Sequence, residues 1–428
     1  MVRYTDKCQF LKTNFSPLVF AAIILCLLVY SKAIKLKDNT RLQTLCNDEN
    51  IVSICGTIIN NPSLSKNEKY YSACMSLSSV TSNSGSFYGA SGNIPVLIPK
   101  DAVERFYPDS LFSKNLNSGV ILCEQGSNIE LTGRINKNRV FIASKAQMRD
   151  TNCKGLGKFY YYRGLLRNNF RRLLYTWGKA GGLLLALLSG IREYTDKTLS
   201  DNFRAAGLSH ILALSGMHLN LFSDFAKKSF FFIKNTRLSS FISFLFVLLF
   251  VFFAGFSPSL FRAFLGIIIG FCVKLLKVKN VRMLKILSAC FLIHLILRPS
   301  DAFFLAFILS YSALAGIVVV SELISFLYII KVPEKIISLL SSSIGAQFFT
   351  SPITLNLLGS FSPVGIISTF FISPLVTFFI YAGIILILLS ICFPCLSPAA
   401  AFFMKMIYNL IDCSAALFAE VPYISSGR

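Results

Sequence analysis

Between Gly207 and Phe222 the sequence reads GLSHILALSGMHLNLF, which places Ser209, His210, Ser215, Gly216, His218 and Asn220 inside an otherwise apolar run. At membrane depth such groups are costly unless they face water, a cavity or one another. Gly207 and Gly216 are points where a helix can break, and broken helices are tolerated in a bilayer where they line a cavity or are buried in protein. The same residues have a plainer use, because small side chains and hydroxyls also hold neighbouring helices together. Three more stretches interrupt apolar runs in the same way. Gly255 to Gly266 carries Arg262 in the second turn after Pro258. Arg298 to Ile317 carries Ser310, Tyr311 and Ser312, and Gly345 to Ile366 carries Gln347, Thr350, Ser351 and Pro352. Together they point to a hydrophilic path through a bundle, with Ser209, His210, Ser215, Gly216, His218, Arg262, Gln347 and Thr350 as its candidate lining. Their chemistry would be hydration and anion contact, not bond making.

Two other chemistries compete for these residues. Ala213-Leu214-Ser215-Gly216 approximates a GxSG nucleophile turn, with His218 or His294 as its base, which would make an intramembrane serine protease. A transporter for a small solute or a lipid-linked precursor fits the composition as well. A metal centre is not expected: Cys392 and Cys395 form a CxxC in an apolar setting with no second CxxC or His beside it. No GxxxxGK[ST] loop is present, so no nucleotide cofactor is expected and energy has to come from elsewhere.

A basic stretch precedes the first polar run. Residues 154–182 carry Lys154, Lys158, Arg163, Arg167, Arg171, Arg172 and Lys179, interleaved with Tyr160, Tyr161, Tyr162, Leu166, Phe170 and Trp177. A segment of this kind reads as an amphipathic helix lying on a bilayer surface. It also reads as a cationic funnel for a polyanion, with Lys158, Arg163, Arg167, Arg171 and Arg172 as its contacts. The net charge of +22 suits either partner, anionic lipid or nucleic acid.

The elements that must position these residues follow from the apolar pattern. Hydrophobic residues make up 54% of the chain and charged ones only 14%, far below the usual charged share of a soluble protein. The expected fold is a polytopic α-helical membrane protein with a small extracytoplasmic β (OB-like) domain. Residues 1–37 read as an N-terminal membrane anchor around the apolar run Pro17 to Tyr30, and 38–153 as the β domain. Residues 154–182 form the basic interfacial segment, and 183–428 the multi-helix bundle. In the β domain, Ile51 to Ile54, Gly56 to Ile59, Asn93 to Ile98, Ile129 to Ile135 and Val140 to Ala143 alternate as strands, with Asn136-Lys137-Asn138 as a hairpin loop. Its aromatics Tyr70, Tyr71, Phe87, Tyr88 and Phe106 are candidate stacking faces. Cys46, Cys55, Cys74, Cys123 and Cys153 all fall in this domain, which suits an oxidising compartment; their number is odd and their pairing is open. In the bundle, Ala205 to Phe222, Ser239 to Phe256, Leu260 to Leu276, Leu284 to Leu297, Phe303 to Ile330, Ile336 to Leu358, Ile366 to Cys392 and Ala399 to Phe418 are the expected spanning or re-entrant runs.

Gly207 to Leu219 resembles the signature of the ComEC family of competence proteins nearly position for position. Pro258, Ser259, Arg262 and Ala263 resemble its second motif. Pro299 with Phe307 to Tyr311, and Gln347 with Thr350 and Pro352, resemble two more. Asn220 and Thr369 depart from the family pattern. The resemblance implies a channel that passes single-stranded DNA across the cytoplasmic (inner) membrane during natural transformation. It implies the same plan of anchor, extracytoplasmic OB-like domain and multi-pass bundle, with DNA and membrane lipid as partners. Many members continue into a metallo-β-lactamase-like domain. This sequence holds three His and no HxHxDH cluster, so strand degradation is expected of a separate nuclease and the driving force of another DNA-uptake protein.

Overall fold

The structure is a computed structural model of the 428-residue chain. It describes residues 17–31, 43–44, 50–65, 67–104, 123–136, 138–148, 156–229, 236–277, 281–324, 334–421 and 424–425. Cys46, Phe106, Cys153, Lys154 and the 325–333 stretch, which figure in the expectations above, lie outside the described residues. The chain divides into two compact units. One is the β unit, residues 38–185 with 191–194; the other is the helical unit, residues 1–37, 186–190 and 195–428.

The β unit is built on five strands: β1 (Ile51–Ile58), β2 (Tyr70–Ser82), β3 (Asn93–Pro99), β4 (Asn128–Ile135) and β5 (Phe141–Met148). β1 pairs antiparallel with β2 and with β4, β2 with β3, and β4 with β5. A parallel pairing of β3 with β5, Val96 opposite Phe141, closes the ring into a barrel. Alternation drives the closure, since every second side chain of a strand faces inward. Ile54, Ile58, Met75, Val96, Ile98, Ile129, Leu131 and Phe141 are all at most 1% exposed. The two expected runs on either side of Cys55 are one strand with an irregularity at Cys55/Gly56. A side chain at Gly56 would overlap the Ser76 carbonyl of β2, so only glycine lets the two backbones approach there. The expected hairpin is present: the Asn136 amide donates to the Val140 carbonyl at 2.8 Å. Cys74 and Cys123 are free thiols, and among the described residues no disulfide joins the barrel.

Two helices complete the β unit. α1 (Leu156–Tyr175) is the basic segment, and α2 (Gly178–Ser189) carries the chain into the helical unit. The helical unit continues through α3 (Lys197–Ala205), α4 (Ser209–Leu212), α5 (Gly216–Ser229), α6 (Thr236–Ala254) and α7 (Pro258–Leu275). It is completed by α8 (Met283–Leu297), α9 (Leu305–Ile324), α10 (Glu334–Leu358), α11 (Gly365–Cys392) and α12 (Ser397–Ala419). The helix Pro17–Tyr30 also belongs to this unit, where Ala22 and Val29 pack with Leu265, Phe291 and Leu295. Among the described residues three helical stretches are long and apolar enough to cross a membrane: Pro258–Leu275, Gly365–Cys392 and Pro394–Ala419.

Two expected runs take a different form. Ala205 to Phe222 is not one helix. α3 stops at Ala205, Gly207 turns at φ +74°, α4 lasts one turn, and the extended Ala213 to Ser215 leads into α5. The run from Phe303 opens with a 3-10 turn, Pro299–Phe303, because the residue ahead of a proline is driven out of the helical region. α9 and α10 then approach closely enough that a Cβ on Gly316 would overlap the Gly345 carbonyl.

Candidate functional site

The break ahead of α5 brings part of the expected path together. Ser215 is the N-cap of α5 and His218 its third residue. The Ser215 amide donates to His218 Nδ1 at 3.2 Å, and the Ser215 hydroxyl lies 3.3 Å from the same nitrogen. A side chain reaching back from the third helical position to the N-cap amide is a capping box, with imidazole in place of the usual Glu or Gln. This fixes the tautomer. Nδ1 acts as acceptor, so the ring proton of the neutral side chain sits on Nε2, which is buried without a partner among the described residues.

Arg262 comes to the same end of α5. Ser257 caps α7 by accepting the Leu260 amide at 3.4 Å, Pro258 opens the helix, and Arg262 follows in the next turn. A Cβ placed on Gly216 would lie 3.4 Å from Arg262 Nη2, so the guanidinium rests against the α5 N-terminus, where glycine leaves it room. Arg262 Nη2 and Nε donate to the Ser310 hydroxyl of α9 at 2.8 and 3.1 Å, and Ser259 joins Ser310 at 3.2 Å. Ser215, Gly216, His218, Ser259, Arg262 and Ser310 thus make one polar seam across α5, α7 and α9.

Other expected path residues lie elsewhere in the helical unit. Gln347 packs at Gly365, where a Cβ would lie 2.5 Å from its Nε2, and its Oε1 is buried without a partner among the described residues. Gly365 in turn abuts Gly207, and the Ser368 hydroxyl donates to the Ala206 carbonyl at 2.7 Å, which satisfies an end of α3 left open by the break. Ser209 and His210 stand on α4 with exposed side chains. Thr350 donates to the Ala346 carbonyl of its own helix at 2.8 Å. The capping and polar-seam residues therefore converge in one place, and Gln347 converges with Gly207 in another.

One buried network was missed by reading the sequence. His294 is fully buried, with Nε2 3.1 Å from Asp301 and Nδ1 3.2 Å from the Tyr311 hydroxyl. Arg298 stands 3.9 Å from Asp301 and lies over the Phe261 ring at 4.9 Å. The signal was present, since Arg298 and Asp301 flank Pro299 and Ser300 just after His294. Both His294 nitrogens are engaged, so this imidazole is not held ready as a base for Ser215.

The basic helix is the largest departure from expectation. α1 turns its cations inward: Arg163 and Arg167 are 1% and 2% exposed. Arg167 Nε and Arg171 Nη2 bind the two oxygens of buried Glu124 at 2.9 and 2.7 Å, and Arg163 donates to Asn61 at 3.0 Å. Burial pushes the Glu124 carboxyl up, but Arg167, Arg171 and Arg163 outweigh it and hold the group below its ordinary range. Burial and the neighbouring Arg167 lower Arg163 to about 10. Arg172 is half-buried, and of the five expected funnel residues only Lys158 is exposed. Phe159, Tyr162 and Leu166 face outward instead, each at least 60% exposed. Of the expected stacking aromatics, Tyr71 is in the barrel core, Tyr88 packs against it, and Phe87 is exposed.

A mostly helical chain with apolar, membrane-length helices, a polar seam among them and a small closed β-barrel defines a membrane-type helical protein with an appended β domain. Residues 187–427 match the family model described as Competence protein, and the match covers more than half of the chain. The chain belongs to that family, the ComEC family of competence proteins. No curated protein and no solved structure matches it.

Proposed function

We propose that this chain passes single-stranded DNA across the cytoplasmic membrane during natural transformation. It would do so as a multi-pass membrane channel whose β unit lies outside the cytoplasm. The observation that carries the reading is the seam of Ser215, Gly216, His218, Arg262 and Ser310, two hydrogen-bonded polar groups that meet at Gly216 in an apolar bundle of a competence-family chain. The strand order of the β unit, with its parallel β3–β5 pairing, supports an OB-type barrel, a scaffold suited to single strands. The channel makes no bonds. The contact of Ser215 with His218 supports a cap and not a nucleophile, because the lone pair that would take the hydroxyl proton already accepts the Ser215 amide. Nuclease activity and driving force come from other proteins. Arg262→Ala should lower the entry of labelled DNA into the cytoplasm at least tenfold, about 1.4 kcal/mol, while the protein stays at its normal level in the membrane. Normal uptake at normal level would remove the seam from the path.

A further inference from the structure

Three features at the start of α5 ask for the same complement. The first-turn amides of a fourteen-residue helix give that end positive character. Against it rests Arg262, whose hydrogen bonds go to the Ser310 hydroxyl; among the described residues no carboxylate pairs with it. On the same first turn stands His218, fully buried, with an Nε2–H donor that has no acceptor among the described residues. The capping contact keeps this imidazole neutral while its Nδ1 accepts the Ser215 amide. The site therefore holds one full positive charge, from Arg262, and several donors. A half-buried cation and a buried donor both favour a partner of opposite character.

We infer that the α5 N-terminus, Arg262 and His218 form a seat for one phosphodiester group of the passing strand. The inference rests on the DNA-uptake reading and names the chemistry of its central contact. A phosphodiester carries a single negative charge, which matches the single charge of Arg262, and its two free oxygens accept from the guanidinium and from His218 Nε2–H. A phosphomonoester dianion would bring one charge more than the seat neutralises. The seat reads the backbone and not the bases, as a sequence-tolerant passage needs.

The test is binding to the purified full chain in detergent, with three probes. These are a short oligothymidylate, its uncharged methylphosphonate analogue, and inorganic phosphate. Arg262→Gln should weaken binding of the phosphodiester oligonucleotide about tenfold and flatten the slope of log K against log salt by about 0.7, one phosphate contact. Binding of the methylphosphonate strand should not change. Two variants at His218 separate the seat from the cap. Glu is the ordinary capping-box residue, and Gln also caps. A cap alone predicts that His218→Glu and His218→Gln bind alike at equal thermal stability; the seat predicts that Glu, which sets a second anion at the phosphate, binds far more weakly than Gln. If the wild-type chain binds the oligonucleotide and Arg262→Gln binds it with the same affinity and slope, the seat is overturned and the DNA reading stands. If the wild type binds no oligonucleotide but binds inorganic phosphate through Arg262, the phosphodiester assignment falls together with the DNA reading.

Discussion

Replacing Glu124 by Gln removes one charge from beneath three arginines. In the native β unit its oxygens lie 2.9 Å from Arg167 and 2.7 Å from Arg171, each contact worth about 6 kcal/mol of gross attraction at an effective dielectric of about 20. Most of that offsets the desolvation of the buried groups. What the substitution costs is the penalty of taking this carboxylate from buried guanidinium groups, about 3–5 kcal/mol. Gln keeps one acceptor oxygen, so the expected loss is about 3 kcal/mol, or about 6–12 °C in the melting of a unit of this size. Trp177 is the only tryptophan, 4% exposed and two residues past the end of α1, so its fluorescence reports this unit without a label. The double variant Glu124→Leu with Arg167→Met should recover part of the loss, since a buried pair exchanged for apolar side chains is often neutral. A Glu124→Gln melt within about 2 °C of wild type, under 1 kcal/mol, would show that α1 is held by its apolar contacts and not by this carboxylate.

Two further outcomes follow from the same physics. Because the folded state holds the Glu124 carboxyl below its ordinary value of 4.5, its contribution is present above that value and is lost as the pH falls through the lowered one; the Trp177 melt should be steady from neutral pH to about 5 and decline below, with a shallower acid limb in Glu124→Gln. In the helical unit, Gly316→Ala would put a methyl onto the Gly345 carbonyl and force α9 from α10, with an expected loss of about 1–3 kcal/mol read by thermal melting in detergent; an unchanged melt would mean that the two helices can separate freely.

What the sequence revealed, and what it hid, divides along physical lines. Strands with large apolar residues at alternate positions, such as Asn93–Pro99 and Asn128–Ile135, were legible. The longest strand, Tyr70–Ser82, was not, because its outward positions are mostly serines and its inward set of Tyr71, Ala73, Met75, Leu77 and Val80 mixes sizes. The breaks at Gly207 and just ahead of Gly216 could be read from composition, because glycine weakens a helix. The convergence of Arg262 on Gly216 spans elements distant in sequence and needed only the coarse idea that buried polar groups seek one another. The orientation of α1 could not be read at all. Arg163, Arg167 and Arg171 share one face at four-residue spacing, and what turns that face inward is Glu124, a single carboxylate thirty-nine residues before Arg163 on the loop just ahead of β4. Gly126 on that loop, at φ +88°, lets Tyr160 pack where any other side chain would overlap it.

The break at Gly207 also bears on the order in which the bundle can be assembled. A continuous helix satisfies its own backbone and can enter an apolar phase as soon as it is made. The segment from α3 to α5 cannot, because its open groups are met by partners that the ribosome supplies much later. The Ala206 carbonyl waits for Ser368, and the space beside Gly207 waits for Gly365. Until α11 exists, this stretch remains an unfinished piece that a bilayer will not accept at depth. A chain cut off between α10 and α11 should therefore leave the signature segment accessible to protease from the aqueous side, with the preceding β unit already folded.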